Sequence, residues 1–268
     1  MKISLKKYLV IGNPIEHSLS PKLHNRWLRE NNIDAIYDKI KLEKHEIKNI
    51  VQDIKKQKII GCNVTVPFKK SVIPFLDKLS MAAEQTQSVN TIIFDDGDLV
   101  GHNTDIVGFD ASIKKLNFNM RDKKILILGA GGVVPSIIFA LKRMHVSEIV
   151  VTNRTREKAE NLKNLFDNLE VIKWGTLSNF DVIINATSLG LKNETINLDF
   201  SSIGKGKLFY DVIYNPVQTN FLKIGEELGN LTENGKNMFI YQASEAFKLW
   251  HKIDPKVNEN TFKLLEND

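Results

Sequence analysis

Cysteine is almost absent from this 268-residue sequence, where Cys62 stands alone. A single thiol forms no intramolecular disulfide and no thiolate metal cluster, and it suits a reducing compartment, so the expected location is the cytoplasm. Long apolar runs are missing as well. No stretch approaches the roughly twenty residues that cross a bilayer, and Met1 to Leu9 is too short and too interrupted by lysine for a secretory signal. Charge of one sign is in only slight excess: Lys and Arg outnumber Asp and Glu by 37 to 32. The basic residues are scattered as pairs such as Lys55-Lys56, Lys69-Lys70, Lys114-Lys115 and Lys123-Lys124, with no aromatic-rich basic track. Neither nucleic acid nor membrane is therefore an expected partner, and a modest attraction for anionic metabolites is the most this charge supports. A G-x-S-x-G elbow and a Walker A lysine are also lacking, which removes hydrolase and kinase readings. His17 and His24 lack metalloprotease spacing and a nearby set of carboxylates, so no metal is expected.

What is present is a globular pattern, 42% apolar, in a chain long enough for two ordinary domains. The first hundred residues read as strands at Tyr8 to Gly12, Ile36 to Ile40 and Ile59 to Val66, with helices from Pro21 to Asn31, from about His45 to Lys55, and after Pro67. Thr91 to Phe94 and Leu99 to Gly101 form a pair about the turn Asp95-Asp96-Gly97. From Ile125 the alternation is clearer, with strands at Ile125 to Leu128, Ile149 to Val151, Val182 to Asn185 and Leu208 to Val212 separated by amphipathic stretches. Such alternation predicts a parallel sheet covered by helices on both faces. The fold class is α/β in two domains, the first α/β with a mainly parallel sheet and the second Rossmann-type. The sheet pattern restarts near Gly101 to Asn103.

Two features of the second half belong together. Gly129-Ala130-Gly131-Gly132 follows the apolar run from Ile125 and precedes the helical stretch around Ile137 to Leu141, the order that seats a pyrophosphate on backbone N–H groups. Asn153-Arg154-Thr155 follows the next strand, roughly twenty residues on, where an NAD site places Asp or Glu for the ribose hydroxyls. A guanidinium there suits a 2′-phosphate, so the residues favour NADP(H). Taken singly, the glycines also fit a plain βα turn, and Arg154 a solvated arginine beside a helix capped by Asn153 or Thr155.

In the first half, Lys69 is expected in the first turn of a helix set by Pro67, where the unpaired N–H groups make a cation unwelcome. A lysine in that setting can exchange a proton near neutral pH. Asp105 closes Asn103-Thr104-Asp105 before another helix, a position that also suits capping. His17-Ser18-Leu19-Ser20-Pro21 offers two hydroxyls at a helix start, a neutral donor set for a carboxylate, unless one serine caps the helix.

The chain strongly resembles the shikimate dehydrogenase family, NADP-dependent enzymes of aromatic amino-acid biosynthesis. The matching segments run in order through Gly12 to Pro21, Asn63 to Lys69, Val89-Asn90-Thr91, Gly101 to Asp105, Gly129 to Gly132, Asn153-Arg154-Thr155, Asn185 to Ser188, Asp211 to Pro216 and Tyr241-Gln242-Ala243. The resemblance implies a substrate domain of residues 1–101 plus 237–268 and a Rossmann domain of residues 102–236. It implies Lys69 and Asp105 as catalytic residues. Ser18 and Ser20 would hold the substrate carboxylate, and Thr65, Asn90 and Gln242 its ring oxygens, with Tyr214 nearby. For NADP(H) it implies Gly129, Ala130, Gly131, Gly132 and Val133, the clamp Asn153, Arg154, Thr155 and Lys158, and Gly235. The activity implied is reversible reduction of 3-dehydroshikimate to shikimate, with Lys69 supplying the proton. A broader quinate/shikimate dehydrogenase or a non-catalytic NADPH-binding regulator are the alternatives, and a homodimer is left open as the assembly. Val133-Val134-Pro135, Leu191 and Lys236-Asn237 depart from the family's usual residues without removing any named site residue.

Overall fold

The structure, a computed structural model, describes residues 5–192 and 194–265; the start of the lysine-rich amino-terminal stretch and the last three residues lie outside these. The chain folds as two compact units, one holding the described residues up to Gly108 and again from Ile240, the other Phe109–Phe239. Both divisions fall inside helices, so no glycine- or proline-rich linker marks them in the sequence.

The first unit is built on β1 (Lys6–Gly12), α1 (Ser20–Glu30), β2 (Ala35–Lys41), α2 (Ile47–Lys55), β3 (Gly61–Val64), β4 (Lys78–Leu79), α3 (Met81–Thr86), β5 (Thr91–Asp95) and β6 (Asp98–His102). The strand order is β2-β1-β3-β5-β6-β4. β1 pairs in parallel with β2 and β3, β5 runs antiparallel to β3 and β6, and β4 lies parallel to β6, so the sheet is mixed. β1 reads as a continuous apolar run because both of its faces are covered; Leu9 and Ile11, with Cys62 and Val64 of β3, pack with Ile47, Val51 and Ile54 of α2. The β5–β6 hairpin closes through Asp96 and Gly97, both with positive φ, as a tight two-residue loop requires.

The stretch after Pro67 is not the helix expected of it. Residues 66–72 form turns, followed by a single 3-10 turn, Ile73–Phe75. The Lys69 carbonyl accepts from the N–H of Val89 instead of from a helical partner, and Pro74 has no N–H to return to Lys70. Lys69 therefore faces no helix dipole, and the electrostatic argument drawn from one does not hold.

Helix α4 (Asp105–Leu116) begins in the first unit and ends in the second, which continues with β7 (Lys124–Leu128), α5 (Val134–Arg143), β8 (Glu148–Thr152), α6 (Arg156–Glu160), β9 (Leu169–Ile172), β10 (Val182–Asn185), β11 (Leu208–Asp211), α7 (Asn220–Glu227) and β12 (Leu231–Glu233). Its six strands pair in the order β12-β11-β10-β7-β8-β9, parallel throughout. Val134, Ile137, Ile138 and Leu141 of α5 are buried, the i, i+3, i+4, i+7 face of a helix laid on a sheet. α6 is shorter than its apolar stripe suggests: a 3-10 turn, Asn161–Asn164, follows it, and Leu165 is exposed while Ala159, Leu162 and Phe166 are buried. The chain then enters α8 (Lys236–His251) and ends in α9 (Glu259–Lys263), capped by Asn258. Among the described residues no helix is long and apolar enough to cross a membrane.

Candidate active site

In the first unit the candidate residues gather at the carboxyl ends of β1 and β3, the edge of an open α/β sheet where ligands bind. The Lys69 ammonium donates to Oδ2 of Asp105 at 2.6 Å, and the two residues are only 8% and 5% exposed. Asp105 opens α4 but does not cap it. Its carboxylate is taken up by Lys69 and by Asn90, whose Nδ2 donates to Oδ1 at 2.9 Å. Among the described residues Asp105 is the only partner of the Lys69 ammonium. An ammonium carries three N–H donors, so two remain for a ligand.

Asn90 is held in one orientation. Its Oδ1 accepts from the backbone N–H of Thr104 at 2.8 Å, a donor that cannot act as acceptor, so Nδ2 must turn toward Asp105. Nδ2 also reaches Gln242 Oε1 at 3.4 Å. Behind Asn90 runs a buried chain that the sequence does not disclose: Tyr37 donates to Asn63 Oδ1 at 2.6 Å, and Asn63 Nδ2 donates to Thr91 Oγ1 and to the Asn90 carbonyl. Nothing in the spacing of Tyr37, Asn63 and Thr91 signals this, because each sits on a different strand.

Ser18 and Ser20 lie in the segment after β1. Neither caps α1, whose N-cap is Leu19 with no side-chain bond, and Ser20 is already helical. Ser18 Oγ accepts weakly from the Ser20 N–H at 3.4 Å. Thr65, half-buried at the end of β3, packs its methyl against Gly12. The structure thus brings Lys69, Asp105, Asn90 and Gln242 into hydrogen-bonding reach of one another. Tyr214 belongs to the second unit, stacked on Phe239 with ring centres 4.4 Å apart.

His24 plays no part in this chemistry. Its ring lies flat on Tyr37 at 4.2 Å, neither nitrogen has a partner, and burial pushes its pKa down to about 3. Burial pushes the Cys62 thiol up, which removes it as a nucleophile.

In the second unit the glycine turn follows β7 as expected. Gly129 has φ +111°, open to glycine and strained for other residues, and a side chain there would meet the Ala186 carbonyl oxygen at 2.8 Å. Gly131 and Gly132 are exposed just before α5. The turn therefore sets an exposed glycine pair just ahead of a helix start, a fit for a pyrophosphate. After β8, Asn153 Nδ2 donates to the Thr155 carbonyl at 2.8 Å, tightening the loop. Neither Asn153 nor Thr155 caps α6: Thr155 is the N-cap residue but makes no side-chain bond. Arg154 and Thr155 of the loop and Lys158 on α6 are exposed, a donor set suited to a phosphate. Gly235 lies so close to the Val212 carbonyl that any side chain would overlap it. A groove of about 480 Å³ lined by Asp110, Lys114, Phe118, Arg121 and Arg143 lies at the other end of the sheet, before β7 and β8, and holds none of these residues.

A parallel doubly wound unit with a glycine turn and a basic second loop, together with a mixed α/β unit carrying a buried Lys–Asp pair, defines a two-domain nicotinamide-dependent dehydrogenase. Comparison with known proteins makes the class specific. Residues 10–92 match the shikimate dehydrogenase substrate binding domain, and residues 111–197 match shikimate / quinate 5-dehydrogenase. The shikimate dehydrogenase (NADP(+)) of Pelagibacter ubique is 56% identical over 97% of this chain and 99% of its own. Shikimate dehydrogenase from Aquifex aeolicus superposes with a TM-score of 0.89 at 35% identity, covering both chains in full. Shikimate 5-dehydrogenase from Thermus thermophilus, solved in complex with NADP(H) and shikimate, gives 0.89 at 27% identity over 97% of this chain and 98% of that one. The chain belongs to the shikimate dehydrogenase family, NADP-dependent oxidoreductases that act on a CH–OH group.

Proposed function

We propose that this protein catalyses the reversible, NADPH-dependent reduction of 3-dehydroshikimate to shikimate, a step toward chorismate and the aromatic amino acids. The observation that carries the reading is the buried contact of Lys69 with Asp105, with two ammonium donors left for a substrate oxygen. NADPH, when bound, supplies the hydride. The turn Gly129, Ala130, Gly131, Gly132 and Val133 would seat its pyrophosphate at the start of α5, the Gly129 N–H itself being taken by the Thr152 carbonyl, with Gly235 near its other end. Asn153, Arg154, Thr155 and Lys158 would hold the adenosine phosphate.

The chain's own residues do the rest. The hydroxyls of Ser18 and Ser20 would meet the substrate carboxylate, and Thr65, Asn90 and Gln242 would orient the ring oxygens. Lys69 Nζ delivers a proton to the oxygen that becomes the alcohol, so that the carbonyl carbon gains hydride and its oxygen gains H⁺. The neutral amine left behind regains its proton from water. Asp105 accepts from Lys69 throughout and fixes the direction in which the ammonium points. In the reverse direction the neutral amine takes the alcohol proton.

The domain assignment follows: residues 1–101 with 237–268 take the substrate, and residues 102–236 the nucleotide. The lone cysteine is in keeping with a cytoplasmic site of action, and a homodimer is the assembly to test by light scattering. The function itself is tested by following NADPH consumption on addition of 3-dehydroshikimate, with shikimate and quinate compared in the oxidative direction. Turnover of 3-dehydroshikimate supports it, and NADPH binding without turnover would make the chain a regulator instead.

A further inference from the structure

Two sequence motifs have no role in the mechanism above, Asn185 to Ser188 and the start of Asp211 to Pro216. They meet at the Asp211 side chain, which is completely buried at the carboxyl end of β11. Its Oδ1 accepts from the backbone N–H of Ile213 at 3.0 Å and from Asn185 Nδ2 at 3.1 Å. Its Oδ2 accepts from the same Nδ2 at 3.1 Å and from the Thr219 hydroxyl at 2.7 Å. Asn185 in turn accepts at Oδ1 from the N–H and the hydroxyl of Thr187 and donates to the Leu189 carbonyl.

The polarity of this network allows one arrangement only. Backbone N–H groups always donate, so Asn185 Oδ1 must face Thr187 and its Nδ2 must face Asp211, which must offer acceptors alone. What the network holds in place is the backbone of two turns. The turn after β10 carries the Ala186 carbonyl that packs on Gly129, and the turn after β11 carries the Val212 carbonyl that packs on Gly235. Burial raises Asp211 to about 6 against these donors, so at neutral pH it is the acceptor-only carboxylate that the network requires.

We propose that Asp211 is a positioning residue for dinucleotide binding, fixing through Asn185 and the Ile213 N–H the two turns against which Gly129 and Gly235 are seated. The inference rests on the proposed placement of NADPH at those glycines. Asp211→Asn keeps one acceptor but turns an amide donor toward the Asn185 amide and the Thr219 hydroxyl, so the Thr219 hydroxyl loses its acceptor and the two amides are set donor to donor. Thr219→Val removes one donor to the carboxylate together with the α7 cap that the same hydroxyl gives the Leu222 N–H, and Thr219→Ser restores both.

The test is NADPH titration of the intact protein by calorimetry, paired with steady-state kinetics and thermal melts for wild type, Asp211→Asn, Thr219→Val and Thr219→Ser. Asp211→Asn and Thr219→Val are expected to raise Kd and KM for NADPH about tenfold or more. KM for 3-dehydroshikimate should stay within about twofold, and Thr219→Ser should bind as wild type. Variants that bind NADPH like wild type overturn the inference, as does a rise in both KM values that tracks a fall in Tm. If Asp211→Asn does not fold, the Thr219 pair decides the matter by the same criteria. A wild-type protein that binds no NADPH overturns the proposed function together with this inference, whereas a wild type that binds and variants that bind equally overturn the inference alone.

Discussion

Lys69 and Asp105, 36 residues apart in sequence, meet at 2.6 Å with both side chains almost completely buried. Neither is carried there by a helix dipole or a cap. The Lys69 backbone is fixed by its carbonyl bond to the Val89 N–H, and the Asp105 backbone N–H donates to Asn103 Oδ1 at 3.1 Å.

Because the pair is buried, losing one partner strands the other charge. Lys69→Met and Asp105→Leu are each expected to destabilise the protein by about 3 kcal/mol. The double variant should lose less than the sum. Urea melts arranged as a double-mutant cycle measure the coupling.

Arg154 is expected to act on the phosphate that distinguishes the two nicotinamide dinucleotides. Arg154→Ala should raise KM for NADPH about tenfold or more and leave KM for NADH nearly unchanged. An equal effect on both would place the guanidinium elsewhere in the nucleotide site.

Gly235 tests the packing of the turn after β11. A methyl group there overlaps the Val212 carbonyl, so Gly235→Ala forces the backbone apart. The expected cost is about 1–3 kcal/mol, read from chemical melts, with weaker NADPH binding.

The buried imidazole of His24 makes the protein acid-sensitive. Its folded pKa of about 3 lies far below the usual histidine value, because burial and the neighbouring His251 disfavour its charged form. The unfolded chain therefore takes up a proton first, and the contribution to stability is complete above the unfolded pKa and is lost as pH falls from there toward 3. His251, lowered to about 4, acts in the same sense. Asp211, raised to about 6, acts in the opposite sense and loses its contribution as pH rises from the ordinary carboxylate range through 6. Between pH 7.5 and 5, His24→Phe should lose about 2 kcal/mol less stability than wild type, measured by urea melts at the two values.

Much of the fold is legible in the sequence where burial on both faces writes itself as an apolar run. Ile125 to Leu128, Val182 to Asn185 and Tyr8 to Gly12 are such runs, and the strands lie there. Leu169–Ile172 and Leu231–Glu233 are missed because they are short outer strands whose exposed Glu170 and Leu231 break the pattern. The mixed character of the first sheet is hidden for another reason. The β5–β6 hairpin is readable from its turn, but the antiparallel pairing of β5 with β3 is a matter of topology that strand composition does not record. At the site, Lys69 and Asp105 are each marked by a local motif, but their meeting is not. The Asp211 network is beyond sequence reading, since its partners Asn185, Ile213 and Thr219 are joined only when β10 and β11 lie side by side.

The central claim is that the Lys69 ammonium supplies the proton in 3-dehydroshikimate reduction, and the kinetics of Lys69→Ala test it most directly. A general acid of this kind contributes about 10²-fold or more, so kcat should fall by at least that much while KM for 3-dehydroshikimate changes far less. A variant that turns over at close to the wild-type rate would contradict the account.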